Sequence, residues 1–251
     1  MLMNFGVCNL SIVPVRSEPN DKSEMVSQLL YGEHFTITEQ LKQWTKICAA
    51  FDNYEGWISN KQFISITKKE YETLHSGLPE YAGDLVAYIS DHQNRLMSIP
   101  LGANINSCSL FSHIFEGGKR TGKGNRKALV ETALLYLNSP YLWGGKTPFG
   151  IDCSGFTQMV YKINGYALLR DANLQATQGK VLSFIEETTA GDLAFFDNDD
   201  GVIIHVGIIL EDNYIIHASG KVRIDRIDHT GIFNVDTKKY SHQLRVIKKV
   251  I

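Results

Sequence analysis

Residues 139–156, SPYLWGGKTPFGIDCSGF, contain the feature that decides the fold of the second half of the chain. A loop rich in glycine and proline ends there at Asp-Cys-Ser-Gly, where a run with helical periodicity begins. Asp152 is suited to cap a helix that starts near Cys153. The helix dipole and free amides favour a negative sulfur, so we expect a pKa for Cys153 below the usual value of about 8.5 and a nucleophilic thiolate. The alternative is a small residue that packs a helix N-terminus.

A thiolate nucleophile needs a base, and two histidines lie in consecutive predicted strands downstream. They are His205 in IIHVGII and His217 in YIIHASG. A three-residue loop, EDN, would pair Leu210 with Tyr214 and set Gly207 opposite His217. The two histidines would then be diagonal neighbours on one face, at positions roughly 7–8 Å apart, a gap that their imidazoles can bridge. A two-residue loop would put His217 on the other face, and metal ligation by the cysteine and both histidines is a competing interpretation.

The pattern from residue 123 onward predicts helices followed by a sheet, which is an α+β domain over residues 123–251. The first helix, RKALVETALLYLN, has an apolar stripe formed by Val130, Ala133, Leu134 and Leu137. The second, CSGFTQMVYKIN, ends at Gly165, a typical residue after a helix C-terminus. Strands are predicted in DLAFFD, GVIIHVGIIL, NYIIHAS and KVRIDRI.

The first 122 residues predict small all-β modules. Short strands in residues 1–66 (IVPVR, MVSQLL, HFTITEQ, WTKICAAF and GWIS) alternate with turn sequences and indicate a small barrel or sandwich. Residues 67–122 predict a second small β module, with strands in DLVAYIS, LMSIPLGANI and SLFSHIF, and a linker in EGGKRTGKGN. We do not interpret that linker as a phosphate loop, because Gly124 stands where the motif needs Ser or Thr.

Composition excludes several classes of function. The net charge is −2 and there is no long basic run, so we expect neither a nucleic-acid nor a membrane partner. The start of the chain, MLMNFGVCNLSIVPVR, is a poor secretory signal, which predicts a cytoplasmic protein. The scattered Cys8, Cys48 and Cys108 are expected to be reduced, packed thiols. DNDD at 197–200 lacks the pattern of a calcium-binding loop. We expect the protein to need no metal and no cofactor, and to be a monomer.

The motifs YLWGGKTPFGIDCSGF, GDLAFF, HVGIIL and IHASG resemble the NlpC-type, papain-like cysteine peptidases of bacterial cell-wall metabolism. The resemblance covers residues 125–251 and implies that Cys153 is the nucleophile, that His205 is general base and then acid, and that His217 orients the imidazole. It also implies an oxyanion site of backbone N–H groups near Cys153, to which Tyr141 can add its hydroxyl. Tyr141 and Trp143 line the substrate groove in this interpretation, or else pack the loop.

The segments VPVRSEPNDKSEMVSQLLYGE, QWTKI and GWIS resemble a bacterial SH3-like domain. The expected fold is therefore a papain-like catalytic domain preceded by small SH3-like barrel modules. The branch of the family with this organisation consists of γ-D-glutamyl-L-diamino acid endopeptidases. It implies a small muropeptide substrate, L-Ala-γ-D-Glu-L-diamino acid, with a free amino end.

A free ammonium group in a groove needs acidic and hydroxyl partners, because burying it unpaired is costly. Matching motif to motif, the resemblance implies a set of substrate-binding residues: Glu33, Tyr54, Asp152, Ser154 and Asp171. Ala172 stands where the family often has serine, which removes one hydroxyl contact. Other interpretations are an amidase or acyltransferase on the same fold and a non-catalytic module that binds cell wall.

Overall fold

The structure is a computed structural model that describes residues 4–251. The chain forms two compact units. The first contains the residues up to Gly122 together with the short excursion Trp143–Pro148, and the second contains Lys123–Leu142 and Phe149–Ile251.

The amino-terminal part of the first unit is a seven-stranded antiparallel sheet. Its strands are β1 (Asn4–Val7), β2 (Ile12–Arg16), β3 (Met25–Leu30), β4 (His34–Gln40), β5 (Trp44–Ala49), β6 (Glu55–Ser59) and β7 (Ile64–Ile66). The order is β3-β2-β6-β5-β4-β1-β7. Alternate residues such as Val13, Val15 and Ile47 fill the core, as period-two side-chain alternation requires. All five predicted strands are present, whereas β1 and β7 are too short to show a pattern in the sequence.

The rest of the first unit is less regular. Its elements are α1 (Lys68–Ser76), β8 (Glu80–Ala82), β9 (Val86–Ser90), β10 (Leu96–Pro100), α2 (Cys108–Phe111), β11 (Ile114–Glu116) and β12 (Lys119–Thr121). Strand β9 lies between β10 and β11, and β12 pairs with β8. Two predictions are wrong in detail. The start of SLFSHIF forms α2, which ends at Ser112 in a left-handed conformation, and the predicted linker contains β12.

The second unit has helices on a large antiparallel sheet. Its helices are α3 (Arg126–Leu135), α4 (Cys153–Ile163) and α5 (Ala172–Gln175). Two-residue strands β13 (Lys146–Thr147, in the excursion) and β14 (Gly150–Ile151) precede α4. The sheet contains β15 (Lys180–Leu182), β16 (Leu193–Asp197), β17 (Ile203–Ile209), β18 (Tyr214–Ser219), β19 (Lys221–Ile227), β20 (Gly231–Asn234) and β21 (Lys239–Lys249).

The sheet of the second unit has the order β15-β21-β16-β17-β18-β19-β20, and β20 also pairs with β21. This extra pairing closes the sheet, because the long strand β21 joins its two sides. Helix α4 packs on β17 and β18, and every one of its residues is buried. The stripe predicted for α3 is wrong in part. Leu134 and Leu137 are about 40% exposed (42% and 40%), while Leu129 and Thr132 face the core.

Within residues 4–251, no helix combines the length and apolar character needed to cross a membrane.

Candidate active site

Cys153 is the first residue of the buried helix α4, and Asp152 is its N-cap. The Oδ1 atom of Asp152 accepts a hydrogen bond of 2.6 Å from the N–H of Gly155, which satisfies one of the free amides of the first turn. The prediction of a capped helix that begins at the cysteine is confirmed.

Arg170 binds the carboxylate of the N-cap residue Asp152. Its Nη1 and Nη2 atoms donate to Oδ1 and Oδ2 of Asp152 at 3.0 and 2.6 Å, and Nη1 also donates to Oγ of Ser154 at 2.9 Å. The arginine is only 1% exposed, so this two-pronged pair lies in the protein interior. An ion pair of Arg170 with its neighbour Asp171 at the surface was one alternative that the sequence left open, and the buried position of Arg170 does not fit it. Asp152, predicted to line the groove, is a cap neutralised by a buried guanidinium.

The sulfur of Cys153 lies beside the strand that carries His205. The backbone N–H groups of Val206 and Ser154 donate to Sγ, and Val206 directly follows His205 in β17. The side chain is buried, with 6% of the residue exposed. Burial, and then the Asp152 carboxylate, raise the pKa of Cys153 to about 12, against the opposing effect of these N–H donors and of Arg170. The predicted lowering of this pKa is therefore wrong, because the sequence shows the helix terminus but not the burial.

The register of the hairpin β17–β18 brings the two histidines together. Leu210 N–H donates to the carbonyl of Tyr214 at 2.8 Å, and Gly207 pairs with His217, as the three-residue loop predicts. The two buried rings lie on the same face, with Nε2 of His205 only 2.8 Å from Nδ1 of His217. The predicted register is confirmed.

Gly207 makes this close approach possible. A Cβ atom at this position would lie 2.9 Å from Cβ of His217 and 2.7 Å from Cδ1 of Ile215. Any side chain there would push His217 away from His205. The glycine of the motif His-Val-Gly is thus explained by packing against the neighbouring strand.

Asp225 continues the chain of hydrogen bonds and was missed by the sequence analysis. Its Oδ2 atom lies 3.0 Å from Nε2 of His217. Arg223 donates to both carboxylate oxygens, at 2.7 and 2.9 Å, and the N–H of Val235 donates to Oδ1 at 3.0 Å. Burial opposes ionisation of Asp225, but these donors outweigh it and lower its pKa well below the usual range.

These contacts determine which ring nitrogens carry hydrogen. Ionised Asp225 only accepts hydrogen bonds, so Nε2 of His217 carries a hydrogen. Burial lowers the pKa of His217 and lowers that of His205 much further, so both rings are neutral near pH 7. Nδ1 of His217 is then an acceptor, Nε2 of His205 carries the hydrogen between them, and Nδ1 of His205 has a lone pair. The arrangement leaves His205 able to take a proton from a thiol.

A third ring joins the pair. One ligand nitrogen from each of His205, His217 and His242 lies within 4.8 Å of the other two. The rings of His205 and His242 are stacked, however, with centroids 4.1 Å apart and planes inclined by 21°. The facing nitrogens of His205 and His217 point at each other, and the lone pairs of the stacked rings lie in two separate, nearly parallel planes. The three nitrogens therefore do not converge on one point, as the ligands of a tetrahedral zinc ion do.

Two other predicted residues lie in the second unit with Cys153. The N–H of Tyr141 donates to the carbonyl of Gly220 at 3.0 Å. Burial, followed by the charges of Cys153 and Asp152, raises the pKa of Tyr141 to about 12, so its hydroxyl stays protonated and can donate a hydrogen bond. Asp171 is half-buried and is the N-cap residue of α5.

The remaining predicted residues lie in the first unit. Glu33 is buried, and its two carboxylate oxygens lie 3.3 and 3.4 Å from Nζ of Lys146 in the excursion. One of them also accepts from the N–H of Leu30 at 3.0 Å. Tyr54 is half-buried. Trp143 is 60% exposed, and its Nε1–H donates to the carboxylate of Glu24 at 2.5 Å. Glu33, predicted to bind an ammonium group, thus already has a lysine partner.

Comparison with known proteins supports the same division of the chain. Residues 138–241 match the NlpC/P60 family, and residues 15–63 match the bacterial dipeptidyl-peptidase SH3 domain. The first match contains Cys153, both histidines of the hydrogen-bonded pair and Asp225. The expected SH3-like domain and papain-like domain are therefore confirmed.

Relatives match across most of the chain. A γ-D-glutamyl-L-lysine dipeptidyl-peptidase of Bacillus subtilis (strain 168) is 30% identical over 217 residues, which covers 76% of this chain and 71% of the relative. Dipeptidyl-peptidase 6 of Lysinibacillus sphaericus is 26% identical, covering 84% and 88%. The crystal structure of an NlpC/P60 family protein from Bacillus cereus ATCC 10987 has the same fold, with a TM-score of 0.79 over 98% of this chain and 99% of that chain at 17% identity. The chain belongs to the NlpC/P60 family and is a cysteine peptidase.

Proposed function

We propose that this protein hydrolyses the bond between γ-linked D-glutamate and the L-diamino acid in peptidoglycan stem peptides that have a free N-terminal L-alanine, and that it acts in the recycling of murein peptides in the cytoplasm. The observation that carries the chemistry is the hydrogen-bonded series His205–His217–Asp225, whose two histidines lie on β17 and β18, the strands against which the Cys153 helix packs. The substrate class is supported by the names of the relatives, one of which is a γ-D-glutamyl-L-lysine dipeptidyl-peptidase.

The first step is attack by Cys153 on the γ-carbonyl carbon of D-glutamate. The pKa of the thiol is raised, so the proton is still on sulfur when substrate binds. Nδ1 of His205 removes that proton as the C–S bond forms, acting as a general base. His217 accepts from Nε2–H of His205 and, together with Asp225, stabilises the imidazolium that results.

The tetrahedral intermediate carries its negative charge on the former carbonyl oxygen. Backbone N–H groups at the start of α4 point in the direction that favours an anion, and the hydroxyl of Tyr141 adds a donor. His205 then returns the proton to the amine of the diamino acid, which leaves. Water, deprotonated by the same imidazole, hydrolyses the thioester and releases L-Ala-D-Glu.

The candidate partners of the substrate's ammonium group are Glu33 and Tyr54 in the first unit and Asp171 in the second, and Ser154 and Trp143 are candidate peptide contacts. An ammonium group removed from water needs such partners. Lys146 already neutralises Glu33, so the substrate amine has to share that carboxylate with the lysine. Ala172 offers no hydroxyl beside Asp171, which leaves recognition there to the carboxylate.

Mass spectrometry of the products from defined peptides tests the proposal. Incubation with L-Ala-γ-D-Glu-L-Lys is expected to release free lysine and L-Ala-D-Glu in equal amounts. The N-acetylated peptide is the matched control and is expected to be cleaved at least about tenfold more slowly, because it has no ammonium group to pair. Equal cleavage of both peptides would remove the ammonium site from the account, and release of alanine instead of lysine would identify an amidase of different specificity.

A further inference from the structure

His242 lies on β21, far along the chain from the catalytic motifs, yet its ring packs on the face of His205. The two ring centroids are 4.1 Å apart, and the planes are inclined by 21°. The ring of His217, by contrast, is nearly perpendicular to that of His205, at 85°. His205 is therefore held at its edge by one histidine and on its face by another.

The backbone around His242 is shaped for this contact. Strand β21 contains a bulge opposite β20, since Ile232 pairs with His242 but Phe233 pairs with Tyr240, which leaves Ser241 as the extra residue. Bulges redirect side chains and are frequent beside active sites. The Oγ atom of Ser241 lies 2.8 Å from Nδ1 of His242.

The opposite strand accommodates this bulge through Gly231. The glycine has φ of +147°, and a Cβ atom there would lie 1.9 Å from the carbonyl oxygen of His242. No other residue fits at this position without displacing the His242 backbone. The close approach of β20 and β21 thus fixes the position of the His242 backbone, from which the ring extends.

The hydrogen bond from Nε2 of His205 to His217 does not by itself fix the plane of the His205 ring. The imidazole can still rotate about the line that joins the two nitrogens, and such rotation changes the direction in which the lone pair of Nδ1 points. A ring stacked on its face removes this rotation. Phe196, whose ring centroid lies 5.8 Å from that of His205 and 6.0 Å from that of His242, packs beside both rings.

We propose that His242 is a positioning residue that fixes the ring plane of His205, so that the lone pair of Nδ1 faces the thiol of Cys153. The inference rests on the assignment of His205 as general base. It requires the aromatic face of residue 242 and not its nitrogens. Burial lowers the pKa of His242 to about 4, so the ring stays neutral and does not repel the His205 imidazolium when it forms.

The test compares His242→Ala, which removes the stack, with His242→Phe, which keeps an aromatic face. His229→Ala is the matched control, because His229 is an exposed histidine of the same unit. On L-Ala-γ-D-Glu-L-Lys, we expect His242→Ala to lower kcat about tenfold with KM within about twofold, the signature of misplaced catalytic groups. His242→Phe should stay within about threefold of the wild-type kcat, and His229→Ala should match the wild type.

Nitrogen-15 NMR of the imidazoles provides a readout without substrate. The wild type should show one sharp set of ring signals for His205, and His242→Ala should show these signals broadened or split by exchange between ring orientations. The proposal is overturned if His242→Ala keeps the wild-type kcat, or if His242→Phe is as impaired as His242→Ala. If the wild type does not cleave the peptide, the proposed function fails and the NMR result alone tests the positioning role. Sharp, single ring signals for His205 in His242→Ala overturn that role, and broadened or split signals support it.

Discussion

The Nε2 atom of His205 and the Nδ1 atom of His217 face each other at 2.8 Å. The contact follows from the pairing of Gly207 with His217, which leaves no side chain between the two rings. Because His217 in turn donates to an ionised carboxylate, the contact specifies which nitrogen of His205 is basic. The register of one hairpin thus leaves Nδ1 of His205 as the nitrogen that can accept the thiol proton.

Replacing Asp225 with asparagine tests the tautomer argument. Asparagine can turn its amide nitrogen toward Nε2 of His217 and stabilise the wrong tautomer, so we expect kcat to fall about tenfold to a hundredfold. Asp236→Asn is the matched control, because this exposed carboxylate also accepts from Arg223, at 2.9 Å, but does not contact His217. Steady-state kinetics on the tripeptide measure both, and equal kcat values for the two variants would contradict the account.

Gly207→Ala tests the close packing of the hairpin. The added methyl group would lie 2.9 Å from Cβ of His217, so His217 has to move away from His205. We expect kcat to fall about tenfold or more, with a modest loss of thermal stability. Gly201→Ala is the control for kcat, because no atom lies within 4 Å of a Cβ atom at that turn and its φ of +76° adds a cost in stability only. An active Gly207→Ala enzyme with unchanged kcat would show that the contact between the rings is dispensable.

The buried pair between Arg170 and Asp152 should contribute strongly to stability. Arg170→Met leaves the Asp152 carboxylate without its guanidinium partner in the protein interior, which typically costs about 3–5 kcal/mol. Lys127→Met, which removes an exposed pair with Glu131, is expected to change the free energy of unfolding by no more than about 0.5 kcal/mol. Urea denaturation followed by circular dichroism measures both variants. A loss below about 1 kcal/mol for Arg170→Met would mean that water or another group replaces the arginine.

The low pKa of His205 predicts the acid side of the pH profile. The base must be unprotonated to accept the thiol proton, and burial, followed by the nearby His217 and His242, lowers its pKa well below 6.5. Activity should therefore persist at lower pH than for an ordinary imidazole, so kcat/KM is expected to stay constant as the pH falls from about 7 to about 6, where the substrate's amino group is already protonated, and to decline only below that. A midpoint near about 6.5, the value of a free imidazole, would be inconsistent with a buried, neutral base.

Local patterns in the sequence were sufficient for the helix cap and for the histidine pair. Asp152 precedes an apolar run, and the alternation of β17 and β18 with a three-residue loop specifies their register. Both depend only on residues close together in the chain. Asp225 could have been found in the same way, since His217 pairs with Arg223 and residues two apart share a face.

Tertiary features could not be predicted in this way. Arg170 looks like a surface residue in the sequence, and only the packed structure shows its burial beside Asp152. His242 reaches His205 because β20 and β21 close the sheet and because a bulge redirects the ring. The raised pKa of Cys153 likewise comes from burial, which cannot be predicted from the Asp-Cys-Ser-Gly motif.

Cleavage of L-Ala-γ-D-Glu-L-Lys by Cys153→Ala, compared with the wild type at equal concentration, tests the central claim most directly. The substitution removes only the sulfur from a well-packed helix, and circular dichroism is expected to confirm that both proteins are folded. The account predicts that mass spectrometry finds lysine released by the wild type and none above the buffer control with Cys153→Ala. Lysine released by the variant at the wild-type rate would contradict the role of the Cys153 thiol as nucleophile.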